Sequence, residues 1–187
     1  GECDMNYTQH YQLPQWVDSD RIMMSDFNDM TQKIDSGLQQ LVEGTPLAKL
    51  DKITASAARQ ALDVSGTDWD KYRALHIYFD LQFAASNVTG TVLLNNQGGN
   101  SDYLLSSSNM QNCLCSFSTS YATQCTGVLQ LMPGGSGFLG TLDCVGHYPS
   151  HGQASCQAVN ANTLTTVDFI LSAAPTAGSY TLYGLLK

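Results

Sequence analysis

The groups able to do chemistry thin out sharply along this chain. Beyond Glu43 there is no glutamate, and from Thr67 to Lys187 the acids are Asp68, Asp70, Asp80, Asp102, Asp143 and Asp168. Glycan hydrolysis needs two carboxylates flanking the scissile bond, one as acid and one as base or nucleophile. Asp80 falls on the polar positions of an alternating segment and Asp168 on a strand pattern near the C-terminus, where carboxylates are normally solvated. Both read as surface groups, and no catalytic residue is assigned. A nucleophilic serine has no G-x-S-x-G elbow, and "GGSG" at 134–137 precedes no helical pattern. The glycine-rich stretches carry no phosphate-binding lysine. The chain reads as a binding protein, not an enzyme, and no cofactor is implied.

Sulfur and imidazole offer a second kind of chemistry. Cysteines stand at 3, 113, 115, 125, 144 and 156. Cys113-x-Cys115 places two thiols on one face of a strand, and His147 and His151 lie between Cys144 and Cys156. Zinc sites use such residues, but usually with wider Cys spacing and a helical His pair. Pro149 stands between the histidines and opposes a helix there. No metal site is assigned, and the thiols read as small core residues or as disulfides. The stretch "CVGHYPSHGQASC" reads instead as a recognition loop. His147, Tyr148 and His151 supply rings with polar tips, and a Cys144–Cys156 disulfide would hold the loop in one shape and lower its entropy cost on binding. Tyr103 and Tyr121 are secondary binding candidates, with a place in the core as the alternative for each. Trp16 and Trp69, each at the entry to a patterned segment, read as packing anchors.

The elements that must position these groups follow from charge and period. Residues 1–66 hold ten acidic and five basic residues, whereas 67–187 hold six and three in nearly twice the length. This shift, near "DVSGTDWD", divides a helical stem (1–66) from a β head (67–187). In "DRIMMSDFNDMTQKIDSGLQQL", Met23, Phe27, Met30, Ile34 and Leu41 fall three or four apart or seven apart, with Gly37 interrupting the seam. They form one stripe on a helix about 30 Å long, with Asp20 or Ser25 as N-cap and Gly44 and Pro46 beyond its end. A stripe this narrow calls for partner helices, here copies of the same chain. A weaker helical pattern continues through Leu47, Leu50, Ile53, Ala57 and Leu62.

In the head the period changes to two. Leu75, Ile77, Phe79, Leu81 and Phe83 alternate with His76, Tyr78, Asp80 and Gln82, as in a half-buried strand. Further short strands follow, separated by Gly-, Asn- and Ser-rich turns such as "NNQGGN" and "MPGGSG". The fold class is therefore α+β: a coiled-coil-like stem followed by an antiparallel β-sandwich, jelly-roll-like in its strand count. A net charge of −8 with no basic stripe excludes nucleic acid as a partner and disfavours an anionic membrane surface. No apolar run is long enough for a membrane-spanning helix.

Two segments carry a family resemblance. The opening "YTQHYQLPQWVDSDRIMMSDFNDMTQKIDSGLQQL", with Gln15-Trp16, Ser19-Asp20, Asp26-Phe27-Asn28 and Lys33-Ile34-Asp35, resembles the N-terminal pattern of short tail-fibre or receptor-binding proteins. Those proteins come from siphophages and prophages of Gram-positive gut bacteria. The ending "AAPTAGSYTLYGLLK" resembles the last strand of their β-sandwich heads. The cysteine-bearing middle of the head matches nothing in that pattern. The resemblance implies a homotrimer in a virion tail, assembled in the host cytoplasm. Its stem would join the tail apparatus, and its head would meet a bacterial surface receptor, a glycan. The alternative is a secreted or cell-surface bacterial carbohydrate-binding module with a helical extension.

Overall fold

The computed structural model describes residues 6–9, 12–16, 23–43, 46–99, 102–106, 109–119, 121–135, 137–145 and 150–187. The chain forms two compact units, Gly1–Pro46 and Leu47–Lys187. The boundary thus falls twenty residues earlier than the charge shift implies.

In the first unit, β1 (Asn6–Tyr7) and β2 (Pro14–Gln15) pair antiparallel. Thr8 closes the ribbon, its backbone N–H donating to Leu13 O and its Oγ1 accepting from Leu13 N at 2.9 Å. The helix α1 spans Met24–Glu43. Its N-cap is Met23, not Ser25. The Met23 carbonyl accepts from Asp26 N and Phe27 N, while Asp26 Oδ2 reaches back to the Met23 N–H at 3.0 Å. That is the return half of a capping box, and it places a carboxylate at the positive end of the helix. Asp20, the other cap candidate, lies outside the described residues. Lys33 joins helix and ribbon: its Nζ pairs with Asp29 at 2.8 Å, donates to Gln12 O at 3.2 Å and sits 5.5 Å from the Tyr7 ring centre.

The second unit is a two-layer antiparallel sandwich. Its strands are β3 (Leu47–Thr54), β4 (Arg59–Asp63), β5 (Tyr72–Gln82), β6 (Thr89–Leu94), β7 (Tyr103–Ser106), β8 (Asn109–Gln111) and β9 (Cys115–Ser118). They continue with β10 (Gln124–Gly134), β11 (Gly137–Val145), β12 (Ser150–Cys156), β13 (Thr166–Leu171) and β14 (Ala177–Leu186). One sheet has eight strands in the order β3-β14-β5-β10-β11-β12-β7-β8, and the other four in the order β4-β13-β6-β9.

Residues 47–54 and 59–63, read above as part of a helical pattern, are strands. Their Ala and Lys content favours a helix only weakly, whereas β14 offers a full row of backbone partners, from Ser179↔Thr54 to Leu185↔Leu47. Tertiary pairing outweighs local propensity here. Lys49, Asp51 and Lys52 lie on this outermost strand, where charge discourages pairing with another chain.

The core lies between the sheets. From β5 come Leu75, Ile77, Phe79 and Leu81, all buried, each worth about 1.5–3 kcal/mol on full burial. Phe79 stacks on Phe117 of β9 at 5.6 Å and meets Phe169 of β13 edge-on at 5.5 Å, and Phe169 leans on Tyr180 of β14 at 4.8 Å. Trp69 packs edge-on to Phe138 at 5.1 Å, as an anchor should.

The β6 end is fixed by a polar knot. Asn95 and Asn96 both have left-handed backbones (φ 50° and 56°), as a tight hairpin turn requires of its two central residues. Asn95 Oδ1 accepts from Thr165 N at 2.8 Å and Thr166 N at 3.1 Å. Asp168 Oδ2 accepts from Asn96 N and from Thr166 Oγ1, both at 2.8 Å. Asp168 is only 4% exposed. It is a buried acceptor that holds this turn, not the surface carboxylate its strand position implies.

Two measurements check this packing. At Gly90 the Phe117 ring occupies the place a Cβ would take, so Gly90→Ala forces that buried ring to move. The expected loss is about 1–3 kcal/mol in urea unfolding. The second concerns His76 on β5, whose Nδ1 is buried without a partner among the described residues. Burial first, and the Arg73 charge second, hold His76 below its ordinary value of 6.5. The unfolded chain therefore binds this proton more readily, and stability present above 6.5 is lost as pH falls towards the folded-state pKa. His76→Gln is expected to flatten the urea midpoint profile between about pH 7 and pH 5.

Candidate functional site

The larger sheet has one face in the core and one open. Strict alternation on β5 sends Leu75, Ile77, Phe79 and Leu81 inward, and so turns His76, Tyr78, Asp80 and Gln82 outward. The register of the neighbouring strands continues this face in rows. One row runs Lys49, Tyr183, His76, Gln130, Thr141 and Gln153. The next runs Lys52, Thr181, Tyr78, Val128, Asp143 and His151, and the third Thr54, Ser179, Asp80, Thr126 and Val145. Rows stand about 7 Å apart along the strands and strands about 4.8 Å apart across them, so the face is broad and nearly continuous.

Its aromatic centre is Tyr78, 42% exposed. The ring of Tyr183 meets it edge-on with centres 5.5 Å apart, and His76 lies 6.4 Å away. Around the rings stand amides and hydroxyls, which donate and accept equally well. Asp80 has a defined pose: Gln124 Nε2 and Thr126 Oγ1 both donate to its Oδ1 at 2.9 Å.

A cleft of about 400 Å³ opens elsewhere on the sandwich, between β3 and the turn after β4, lined by Asp51, Asp63, Asp68, Lys71, Tyr72 and Leu182 among others. Its carboxylates serve the local chain. Asp63 accepts from the Ser65 hydroxyl and N–H, which hold it below the usual carboxylate range. Asp68 caps the turn at Asp70 N and Lys71 N. Among the described residues no three His, Cys, Asp or Glu side chains gather as a metal would need.

The residues singled out in the sequence scatter. His147 and Tyr148 lie outside the described residues, as does the side chain of His151, whose backbone pairs with Asp143. The stretch between Cys144 and Cys156 is mostly strand β12, so it is a hairpin arm and not a free loop. Tyr121 is in a turn and 71% exposed. Tyr103 is fully buried. Its hydroxyl accepts from Leu94 N and donates to Gln97 O, both at 2.8 Å, so it is a core strut and not a binding residue.

The Cys144–Cys156 disulfide is ruled out by register. Cys156 pairs with Phe138 and Cys144 with Ser150, about 20 Å apart along β11, whereas bridged cysteines have Cα atoms about 4.4–6.8 Å apart. Cys144 instead contacts Cys125, and that hydrogen bond, together with burial, raises the Cys125 pKa. Cys113 precedes β9 and does not share a strand with Cys115. Both are buried, and burial pushes the Cys115 thiol up to about 12, so it keeps its proton at neutral pH.

Tyr78 and Tyr183 are the site residues that sequence reading passes over. The signal was present: an aromatic on the polar side of a strict alternation, between His76 and Asp80, has no core to fill.

No family model and no curated protein matches this chain. Among solved structures it is similar to a tetrameric galectin from the ball sponge Cinachyrella sp. at 14% identity and TM-score 0.31, covering 68% of this chain and 99% of that one. It is also similar to a mutant of the GH43 protein BlXynB from Bacillus licheniformis at 9% identity and TM-score 0.29, covering 62% of this chain and 28% of that one. Overlaps this weak carry no functional argument, and the site rests on its own geometry.

Proposed function

We propose that this chain is a glycan-binding head on a self-associating helix, of the tail-fibre type that its two ends resemble, and that it binds without chemistry. The observation that carries the reading is the open face around Tyr78, Tyr183 and His76. Rings there lie among amides and hydroxyls with few cations, which suits a neutral sugar that stacks and exchanges hydrogen bonds.

The helix supplies the valency. Phe27 and Leu38 are 51% and 57% exposed, and Met23 and Ile34 are exposed with them. Met30 is half-buried, and the side chain of Leu41 lies outside the described residues. Met24 and Leu38, exposed beside the seam, widen the apolar face that a partner helix would cover, and the resemblance supplies the count of three. Three modest sites on one stem then bind in sequence at high effective concentration. In this reading the first unit also joins the tail apparatus.

Light scattering on the full chain is expected to give about three times 20.2 kDa, and the double variant Phe27→Asp/Ile34→Asp to fall to one chain. A single-chain mass for the unaltered protein would sink the trimer and favour a carbohydrate-binding module with a helical extension. Tyr78→Ala is expected to weaken binding to purified cell-wall polysaccharide by about tenfold. Unchanged binding would move the site off this face.

A further inference from the structure

Asp80 is held by two side chains of the neighbouring strand β10, whereas Asp63 and Asp68 are held by groups of their own turns. Both of its protein donors, Gln124 Nε2 and Thr126 Oγ1, converge on the single oxygen Oδ1. Oδ2 receives no donor and Asp80 makes no ion pair among the described residues. The carboxylate is thus locked in orientation by neutral groups, with one acceptor oxygen to spare. Thr126 spends its proton on Asp80, so its own oxygen has lone pairs to accept from outside. Two acceptors therefore stand side by side, on directly opposed residues of β5 and β10. The exposed ring of Tyr78 lies one position along on the same face.

Resting on the glycan reading above, we infer that Asp80 Oδ2 and Thr126 Oγ1 together accept two adjacent hydroxyls of a neutral sugar, and that Asp80 determines specificity on this face. Hydroxyl bonds to a carboxylate are charge-assisted and stronger than those between neutral groups. A side chain already fixed loses little entropy on binding. The same charge disfavours uronates and phosphate-bearing polymers, since no cation pairs with Asp80 among the described residues. The ligand class is a neutral glycan with an unsubstituted vicinal diol.

The test uses the full chain in biolayer interferometry against immobilised mannan, galactan and dextran, with polygalacturonate as the anionic comparison. The unaltered protein is expected to hold at least one neutral polymer and not polygalacturonate. Mild periodate, which cleaves vicinal diols, is expected to abolish that binding. Asp80→Asn keeps the shape, removes the charge and is expected to lose about tenfold to a hundredfold in affinity. Thr126→Val, an independent variant should Asp80→Asn fold poorly, is expected to lose affinity in the same direction. If Asp80→Asn and Thr126→Val bind as well as the unaltered protein while Tyr78→Ala does not, the inference falls and the glycan face stands. If all three variants bind fully, sugar recognition lies elsewhere and both the face and the inference fall. If the unaltered protein binds none of the neutral polymers, the inference falls together with the reading beneath it.

Discussion

Every side chain of β5 from Leu75 to Gln82 faces either the second sheet or open solvent, and a slip of one residue would exchange the two sets. That constraint reaches the whole sandwich. Phe79 has to meet Phe117 and Phe169 for the layers to close, and closing them is what leaves Tyr78 and Asp80 outside. The same alternation thus builds the core and the candidate binding face. Strands β14 and β10, paired on either side of β5, inherit its register and extend both faces. Precision in the outer rows comes from burial in the inner ones, because a packed core tolerates little displacement.

The polar devices at the margins serve that register. The Asn95–Asn96 turn, held by Asp168, fixes where β6 ends against β13. Tyr103 ties Leu94 and Gln97 to the far side of the other sheet through one hydroxyl. Both are buried hydrogen-bonding groups with partners, which contribute modestly when satisfied and cost more when broken. The outermost strand β3 carries lysines and an aspartate, so the sheet ends there without inviting another chain. On the helix, Phe27, Ile34 and Leu38 are exposed.

Much of this fold was legible in the residues. The alternation of β5, the turns at "NNQGGN" and "MPGGSG" and the seam of α1 all depend on local period, which a sequence displays directly. What misled was equally local. Residues 47–63 have helical spacing and composition, but 47–54 and 59–63 become strands because pairing with β14 and β13 outweighs modest helix propensity. The charge shift near residue 66 marks where exposed edge strands give way to buried ones, not where the units divide. Cysteine spacing suggested a closed loop at 144–156, yet the hairpin register carries those two sulfurs to opposite ends of β11.

By itself the sequence determined the kinds of element: an amphipathic helix and a set of short antiparallel strands. Tertiary structure alone decided which polar groups stay dry and which stay wet. Tyr103 is covered by the opposing layer and Asp168 is kept dry where Asn96 and Thr166 satisfy it, whereas Tyr78, on the polar side of its strand, is left on the open face. The reason is physical. Period reports which residues share a side, but only the second sheet determines which side is buried, and its contacts join residues far apart in the chain.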